Sequence, residues 1–540
     1  MLVRGKIFTA RGMGAELWAR AMAVKDGVIT AVGTEAEAAA AAGPGAQVLD
    51  VTDGVVLPAF VDGHAHLLLN GQYLTRVGLR RCKTLVQIQD ELLRFRKANP
   101  QAKRVLGVSY VFAALPNLTP HRKYLDEIIP DIPVYIDAND LHSVWCNTAA
   151  LAELGITNDT PDPVGGTIVR DADGAATGYL LENAGFNVAW PVMNKCTDED
   201  DDRYVRTAVD AYLESGTTAA VDMLMTEQYL AALLRADARG QLPLTVLCHW
   251  LIVRTNDPAS ELAQVQRAAE LKALHATGRV QVVGVKFLTD GTIDGCTAGV
   301  CEPYTNGKPG EVVWPREALE PAVLAADEAG LQVAMHAIGD QAVRTALDVL
   351  EVAKARREAR GDHREPRHRI EHLEYVAEQD VPRLAALGVT ASMQPVHCDP
   401  AFLGNWIACL GLQRAQRGFA WPEYLEHGTR LAFGTDTPTA DHQALPCMYI
   451  AATRCSPYDA EAEPLRPDFS LPLDVSIIHG TRESAWSCFQ EHRRGQLAPG
   501  LVADFIVLDR DPFTLGPDSL LDTRVLTTFI DGKVAYQRPQ

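Results

Sequence analysis

The stretch Leu57-Pro-Ala-Phe-Val-Asp-Gly-His-Ala-His66 decides how this chain is read. Small and apolar residues lead into two histidines spaced His-x-His. On a strand, side chains at i and i+2 share a face. His64 and His66 therefore project together from a strand end, where two imidazoles can hold one metal ion. The spacing alone is common. Its weight comes from Lys286, His336, His372 and Asp436, each at or just after an apolar, β-branched run that reads as a strand.

Outward from residues 57–66, those runs form a series. Thr217-Thr-Ala-Ala-Val-Asp-Met, Pro243-Leu-Thr-Val-Leu-Cys-His and Val280-Gln-Val-Val-Gly-Val-Lys-Phe-Leu are the second to fourth strands. Leu331-Gln-Val-Ala-Met-His, His368-Arg-Ile-Glu-His, Val389-Thr-Ala-Ser-Met-Gln and Arg430-Leu-Ala-Phe-Gly-Thr-Asp436 are the fifth to eighth. Amphipathic helices are predicted between them at 203–215, 226–238, 259–277, 316–329, 341–358 and 378–386. Eight short apolar runs separated by such helices predict an α/β chain built on a (β/α)8 TIM barrel. In a barrel the C-terminal strand ends converge on one face, so residues hundreds apart in sequence can share one site.

The two ends of the chain are β-like. Leu2–Thr9, Ala21–Gly33 and Gln47–Val51 read as strands, with a hairpin signal at Lys25-Asp-Gly-Val and an alanine-rich helix over 35–42. Residues 490–540 contain further short strands, which are expected to pair with residues 1–56 in a composite β-sandwich domain beside a 57–489 barrel. Segment 67–205 lacks strand–helix alternation and reads as an insertion over the barrel mouth, where binding residues are often carried.

Composition narrows the function classes. Hydrophobic residues make up 47% and charged residues 22%, as in a soluble globular protein. Lys and Arg number 50 against 69 Asp and Glu, a net charge of −19. That balance argues against nucleic-acid partners, which call for a basic face, and against docking to anionic membranes. The 11 cysteines include no Cys-x-x-Cys, which favours a reducing, cytoplasmic setting and disfavours a thiolate zinc site. No secretory h-region or membrane span is read in the chain. There is also no P-loop, no Gly-x-Gly-x-x-Gly and no Gly-x-Ser-x-Gly.

Neutral imidazoles and carboxylates suit Zn²⁺, Fe²⁺ or Mn²⁺. Such an ion lowers the pKa of bound water to about 7, and Asp436 is placed to bind the ion and take the water's proton. Lys286 fits less simply, because a free ammonium is repelled by a metal. A buried lysine can instead react with CO₂ to give a bridging carbamate, act as a neutral base or touch substrate.

These motifs resemble the amidohydrolase superfamily, and within it amidohydrolase family 3, the YtcJ-like and N-substituted formamide deformylase-like metal-dependent hydrolases. The matching pieces are residues 57–66, Val285-Lys-Phe-Leu-Thr-Asp-Gly, Met335-His-Ala-Ile-Gly-Asp, Arg369-Ile-Glu-His-Leu and Phe433-Gly-Thr-Asp-Thr-Pro. Asp140-Leu-His-Ser-Val-Trp-Cys-Asn-Thr-Ala-Ala-Leu and Leu497–Pro512 match as well. The resemblance implies a distorted barrel with a composite β-sandwich. It implies metal ligation by His64, His66, carboxylated Lys286, His336 and His372, with Asp436 as ligand and proton shuttle.

In the insertion, His142, Asn147, Tyr110 and Trp145 are candidate substrate contacts, joined by His397 after the seventh strand. The plain alternatives are a loop histidine, a helix cap and packing aromatics. Asp290 and Asp340 are either acceptors that hold a neighbouring histidine or loop, or turn residues; Asp504 reads as structural. The expected activity is hydrolysis of a non-peptide C–N bond in a small molecule, an N-substituted amide or formamide, with one or two divalent ions, foremost Zn. A cyclic amidase, a heterocycle deaminase, an ester hydrolase and a non-catalytic scaffold of the same fold are the alternatives. A homo-oligomer is left open.

Overall fold

The computed structural model describes residues 1–12, 14–255 and 257–539. Eight parallel strands run in sequence order around one sheet: Phe60–Ala65, Thr217–Met225, Thr245–Ile252, Val280–Leu288, Gln332–Ala337, Arg369–His372, Thr390–Met393 and Leu431–Phe433. We call these barrel strands one to eight. Each expected strand is present, because each is an apolar run buried on both faces, as parallel strands covered by helices must be.

The barrel is nearly closed. Strands one and eight share no regular ladder, but the chain beyond them joins the seam. The Asp436 N–H donates to the His64 carbonyl at 2.8 Å and the His66 N–H to the Thr437 carbonyl at 3.0 Å. Gly434 permits this approach, since a Cβ there would lie 2.3 Å from the His64 nitrogen. Asp62 locks the same seam, accepting from the Thr435 N–H at 2.9 Å and hydroxyl at 2.6 Å, and from the Tyr212 hydroxyl at 3.0 Å.

The helices between strands follow their sequence signals. Helix Asp198–Ser215 starts on a capping box, Thr197 with Asp200, and stops at Gly216 in the left-handed region. Helices Glu227–Ala238 and Pro258–Leu274 begin on Thr226 and Asp257 caps. Among the described residues no helix is long and apolar enough to cross a membrane.

Both chain ends enter one seven-stranded sheet in the order Lys533–Gln537, Val525–Ile530, Phe505–Leu508, Val48–Pro58, Leu2–Phe8, Trp18–Lys25, Val28–Gly33. The Trp18–Lys25/Val28–Gly33 hairpin turns through Asp26 and Gly27, both at positive φ, the geometry of a type I′ turn. The sheet rolls over its own apolar face: Val28 bridges Val502, and Val3, Met22, Val56, Phe505 and Phe529 pack inside.

The insertion is more ordered than its sequence pattern indicates. It builds a six-stranded mixed sheet, Gly166–Arg170, Ala176–Glu182, Ser143–Cys146, Val134–Ala138, Val105–Tyr110 and Val77–Gly78, around a core of its own. Mixed pairing and short, irregular connections hide such a sheet from periodicity.

Candidate metal centre

The C-terminal ends of barrel strands one, four, five, six and eight bring His64, His66, Lys286, His336, His372 and Asp436 to one cavity of about 800 Å³. All six are buried. Asp436 Oδ1 lies 2.9 Å from His66 Nε2 and 3.2 Å from His64 Nε2. Ligand atoms of His64, His372 and Asp436 fall within 4.8 Å of one another. The ring centroids of His336 and His372 are 4.5 Å apart, those of His64 and His372 4.9 Å.

Hydrogen bonds on the far side of three of the four rings set which nitrogen faces inward. His64 Nδ1–H donates to Glu371 Oε2 at 2.7 Å, His372 Nδ1–H to Gln394 Oε1 at 2.7 Å, and His336 Nε2–H to the Gly291 carbonyl at 3.1 Å. Each ring keeps one lone pair for the centre, the arrangement that metal-ligating histidines adopt. His64 Nε2 and Asp436 Oδ1 face each other in the centre without an aligned hydrogen bond, while His66 turns Nε2 toward Asp436 and leaves Nδ1 buried on its outer edge. Buried polar atoms are rarely left so, and converging lone pairs of this kind fit a divalent cation. His372 and Asp436 also hold left-handed backbone, φ 77° and 54°, a strain that tends to persist at functional sites.

Electrostatics favour the ligand forms. Burial pushes the His336 and His372 imidazoles well below their ordinary range, so both are neutral. Burial alone would raise the Asp436 carboxyl, but His64 and His66 outweigh it and hold it well below. Burial brings the Lys286 ammonium down to about 8. Lys286 makes no ion pair among the described residues, so a salt bridge to Asp290 or Asp436 does not account for its burial.

Sequence reasoning anticipated Asp290 as a brace but missed Glu371, Arg369 and Gln394, which hold the ligands. Glu371 is fully buried, grips His64 and is itself gripped by Arg369, whose Nε donates to Glu371 Oε1 at 2.8 Å. Arg369 also donates to the Gly63 carbonyl at 2.5 Å and to Ser392 Oγ at 2.7 Å, tying strands one, six and seven. The available signal was the Arg369-x-Glu371 spacing, which places both side chains on the inward face of strand six. Asp290 accepts from the backbone N–H groups of Gly299, Ile338 and Gly339 and approaches His336 Nε2 at 3.3 Å, so it braces the His336 loop. Asp340 accepts from the Cys301 N–H at 2.9 Å, and Asp504 pairs with Arg494 inside the end sheet.

Of the expected substrate contacts, the structure brings two to the cavity. His142 lines it, its Nδ1–H donating to Glu182 Oε2 at 2.7 Å and its ring 4.9 Å from His336. His397 lines it as well, donating to Glu374 Oε1 at 2.8 Å, with Nε2 3.4 Å from Asp436 Oδ2. Asn147, Tyr110 and Trp145 do not line it. Asn147 caps helix Thr148–Glu153, accepting from Ala150, while its amide donates to the Ile129 and Ile132 carbonyls; no capacity remains for a ligand. Tyr110 and Trp145 are fully buried in the insertion core, with their rings packed edge to face at 5.6 Å.

Comparison with known proteins agrees with this geometry. Residues 47–536 match the amidohydrolase family. The chain is 30% identical over 554 aligned residues to the protein Long After Far-Red 3 of Arabidopsis thaliana, covering 99% of this chain and 91% of that one. It is 27% identical over 536 residues to N-substituted formamide deformylase of Arthrobacter pascens, covering 96% and 95%. The crystal structure of an uncharacterized metal-dependent hydrolase from Pyrococcus horikoshii matches with a TM-score of 0.74 at 25% identity, over 96% and 99% of the two chains. A barrel with converging histidines and a family match across nine-tenths of its length leave one assignment: this chain belongs to the amidohydrolase family, as a metal-dependent hydrolase of carbon–nitrogen bonds.

Proposed function

We propose that the protein hydrolyses an N-substituted amide or formamide at a zinc centre held by His64, His66, Lys286, His336, His372 and Asp436, with Lys286 carboxylated. The observation that carries this reading is the convergence of ligand atoms of His64, His372 and Asp436 within 4.8 Å of one another, beside a buried lysine that has no ion-pair partner among the described residues. A carbamate on Lys286 turns a repelled cation into an anionic ligand. The formamide deformylase among the relatives points to the same bond type.

One or two divalent ions bound there supply a Lewis acid and water acidic enough to react at neutral pH. Asp436, whose Oδ1 faces His64 and His66, accepts the proton of the attacking water. It then returns that proton to the leaving nitrogen, so water adds across the C–N bond to give a carboxylic acid and an amine. Glu371 keeps His64 in one tautomer throughout. His142, beside His336, and His397, beside His372, are placed to hydrogen-bond the carbonyl oxygen and the nitrogen. The test is formate or carboxylate release from a panel of N-substituted formamides and amides by zinc-loaded protein. Turnover is expected in the wild type, with a loss of about a thousandfold or more in Asp436→Asn. A wild type inactive on the whole panel would remove the proposed substrate class.

A further inference from the structure

A second cavity of about 580 Å³ lies beside the first, over the ends of barrel strands two, three and four. The two cavities share the end of strand four, but none of the candidate metal ligands lines the second. Four apolar side chains, Phe186, Trp190, Leu224 and Leu288, line both cavities and form a common wall. Beyond that wall the second cavity is lined by Leu251, Ile252, Val313 and Trp314 together with the polar Asn183, Asn194, Thr226 and Arg254. Asn187, Gln228 and Lys195 lie at its rim.

One side of the wall comes from the insertion and the other from the barrel. Phe186 belongs to a π-helical turn, Gly185–Ala189, that follows the insertion strand Ala176–Glu182. Such turns are rare and recur at functional sites. Its ring packs edge to face on His142 at 5.6 Å and on Trp190 at 5.0 Å, yet it is only half-buried. Phe186 thus touches a residue of the metal cavity on one side and closes the second cavity on the other. Leu224 and Leu288 are fixed to the strand ends opposite. Among the described residues only Phe186, Trp190, Leu224 and Leu288 separate the two spaces, so an arm that reaches from one to the other must pass between the Phe186 ring and these leucines.

We infer that the second cavity is a substrate chamber, which takes the apolar arm of the molecule whose C–N bond lies at the metal centre. This rests on the proposed hydrolysis and names its substrate class: N-substituents several carbons long that end in an aromatic or branched apolar group. The size, and a lining in which apolar side chains on the wall and strand ends meet polar groups such as Asn183, Thr226 and Arg254, are those of a small-molecule site. Phe186, Trp190, Leu224 and Leu288 are then the residues that determine specificity. The insertion does more than cover the barrel, since it supplies one side of the chamber.

The experiment uses zinc-loaded full-length protein and a series from N-benzylformamide to N-(4-phenylbutyl)formamide. Each methylene that enters the chamber is expected to lower KM about fourfold. Val313→Trp fills the chamber from the barrel side. Asn187→Trp fills it from an exposed rim position, where the fold is not at risk. Each is expected to cut the ratio of kcat/KM for the longest over the shortest substrate by about tenfold. A flat series in the wild type, or equal losses for long and short substrates in both variants, overturns the inference. If no member is hydrolysed, the proposed chemistry fails, and calorimetric binding of 4-phenylbutylamine against benzylamine decides the chamber. Tighter binding of the longer amine, abolished by either tryptophan, supports it; equal affinities overturn it.

Discussion

Glu371 shows how much of the centre rests on a residue that ligates nothing. It lies between Arg369 and His64, and burial, which resists its charge, is outweighed first by Arg369 and then by His64, holding its carboxyl well below the usual range. Glu371→Gln keeps the shape and one acceptor but removes the charge that steadies the His64 proton. Metal affinity is expected to fall about 10- to 100-fold in a chelator-competition titration; an unchanged affinity would show that Arg369 alone orients the site. The ligands themselves were legible because each ends an apolar strand. Their supports were legible only in part: Asp290 follows Lys286 closely enough to be read as a brace, and Arg369-x-Glu371 places Glu371 inward, but that Glu371 and Gln394 meet the far nitrogens of His64 and His372 is not encoded in spacing. Asn147 misled for the converse reason, since a cap and a ligand-binding amide use the same donors and acceptors, and only the neighbouring Ile129 and Ile132 carbonyls tell them apart.

At the scale of elements, the weak point of the barrel is the join between strands one and eight. Strand eight is three residues long, and closure depends on backbone contacts past its end at Asp436 and Thr437. Gly434→Ala would drive a methyl into the His64 backbone at 2.3 Å. The expected cost is on the order of 2 kcal/mol of stability, measured by denaturant unfolding. Metal binding should fall with it, because His64 and Asp436 flank that contact. A variant with wild-type stability and metal content would mean that the seam is slack. The barrel strands were readable from sequence because both their faces are buried, and the end sheet because its hairpin turn carries the Asp26-Gly27 signal. The insertion sheet was not, since its strands pair out of order, with Ala176–Glu182 rather than Gly166–Arg170 beside Ser143–Cys146, and the Val77–Gly78 strand is only two residues long.

For the whole molecule, several histidines are buried neutral, and this sets its response to acid. Burial pulls His479 down to about 4 and His249 to about 3. His479 donates Nδ1–H to the Leu431 carbonyl at 3.0 Å under strand eight, far from solvent. The unfolded imidazole titrates near 6.5, so as pH falls below that value the unfolded chain takes up the proton first. The stability from a neutral His479 is therefore complete above about pH 6.5 and is lost as pH falls toward 4, up to about 3 kcal/mol in all. Thermal unfolding at stepped pH values should show a shallower loss over that window in His479→Asn than in the wild type. Identical slopes would place the acid sensitivity elsewhere.

The central claim, a metal centre completed by a modified Lys286, meets its most direct test in metal content per chain. Wild type and Lys286→Ala would be loaded with zinc in the presence of bicarbonate, freed of excess ion and measured by elemental analysis, with circular dichroism to establish folding. About two ions in the wild type and fewer in the variant are expected from a carbamate-bridged pair. A single ion in both would remove the bridge, and a folded wild type that retains no metal would contradict the account outright.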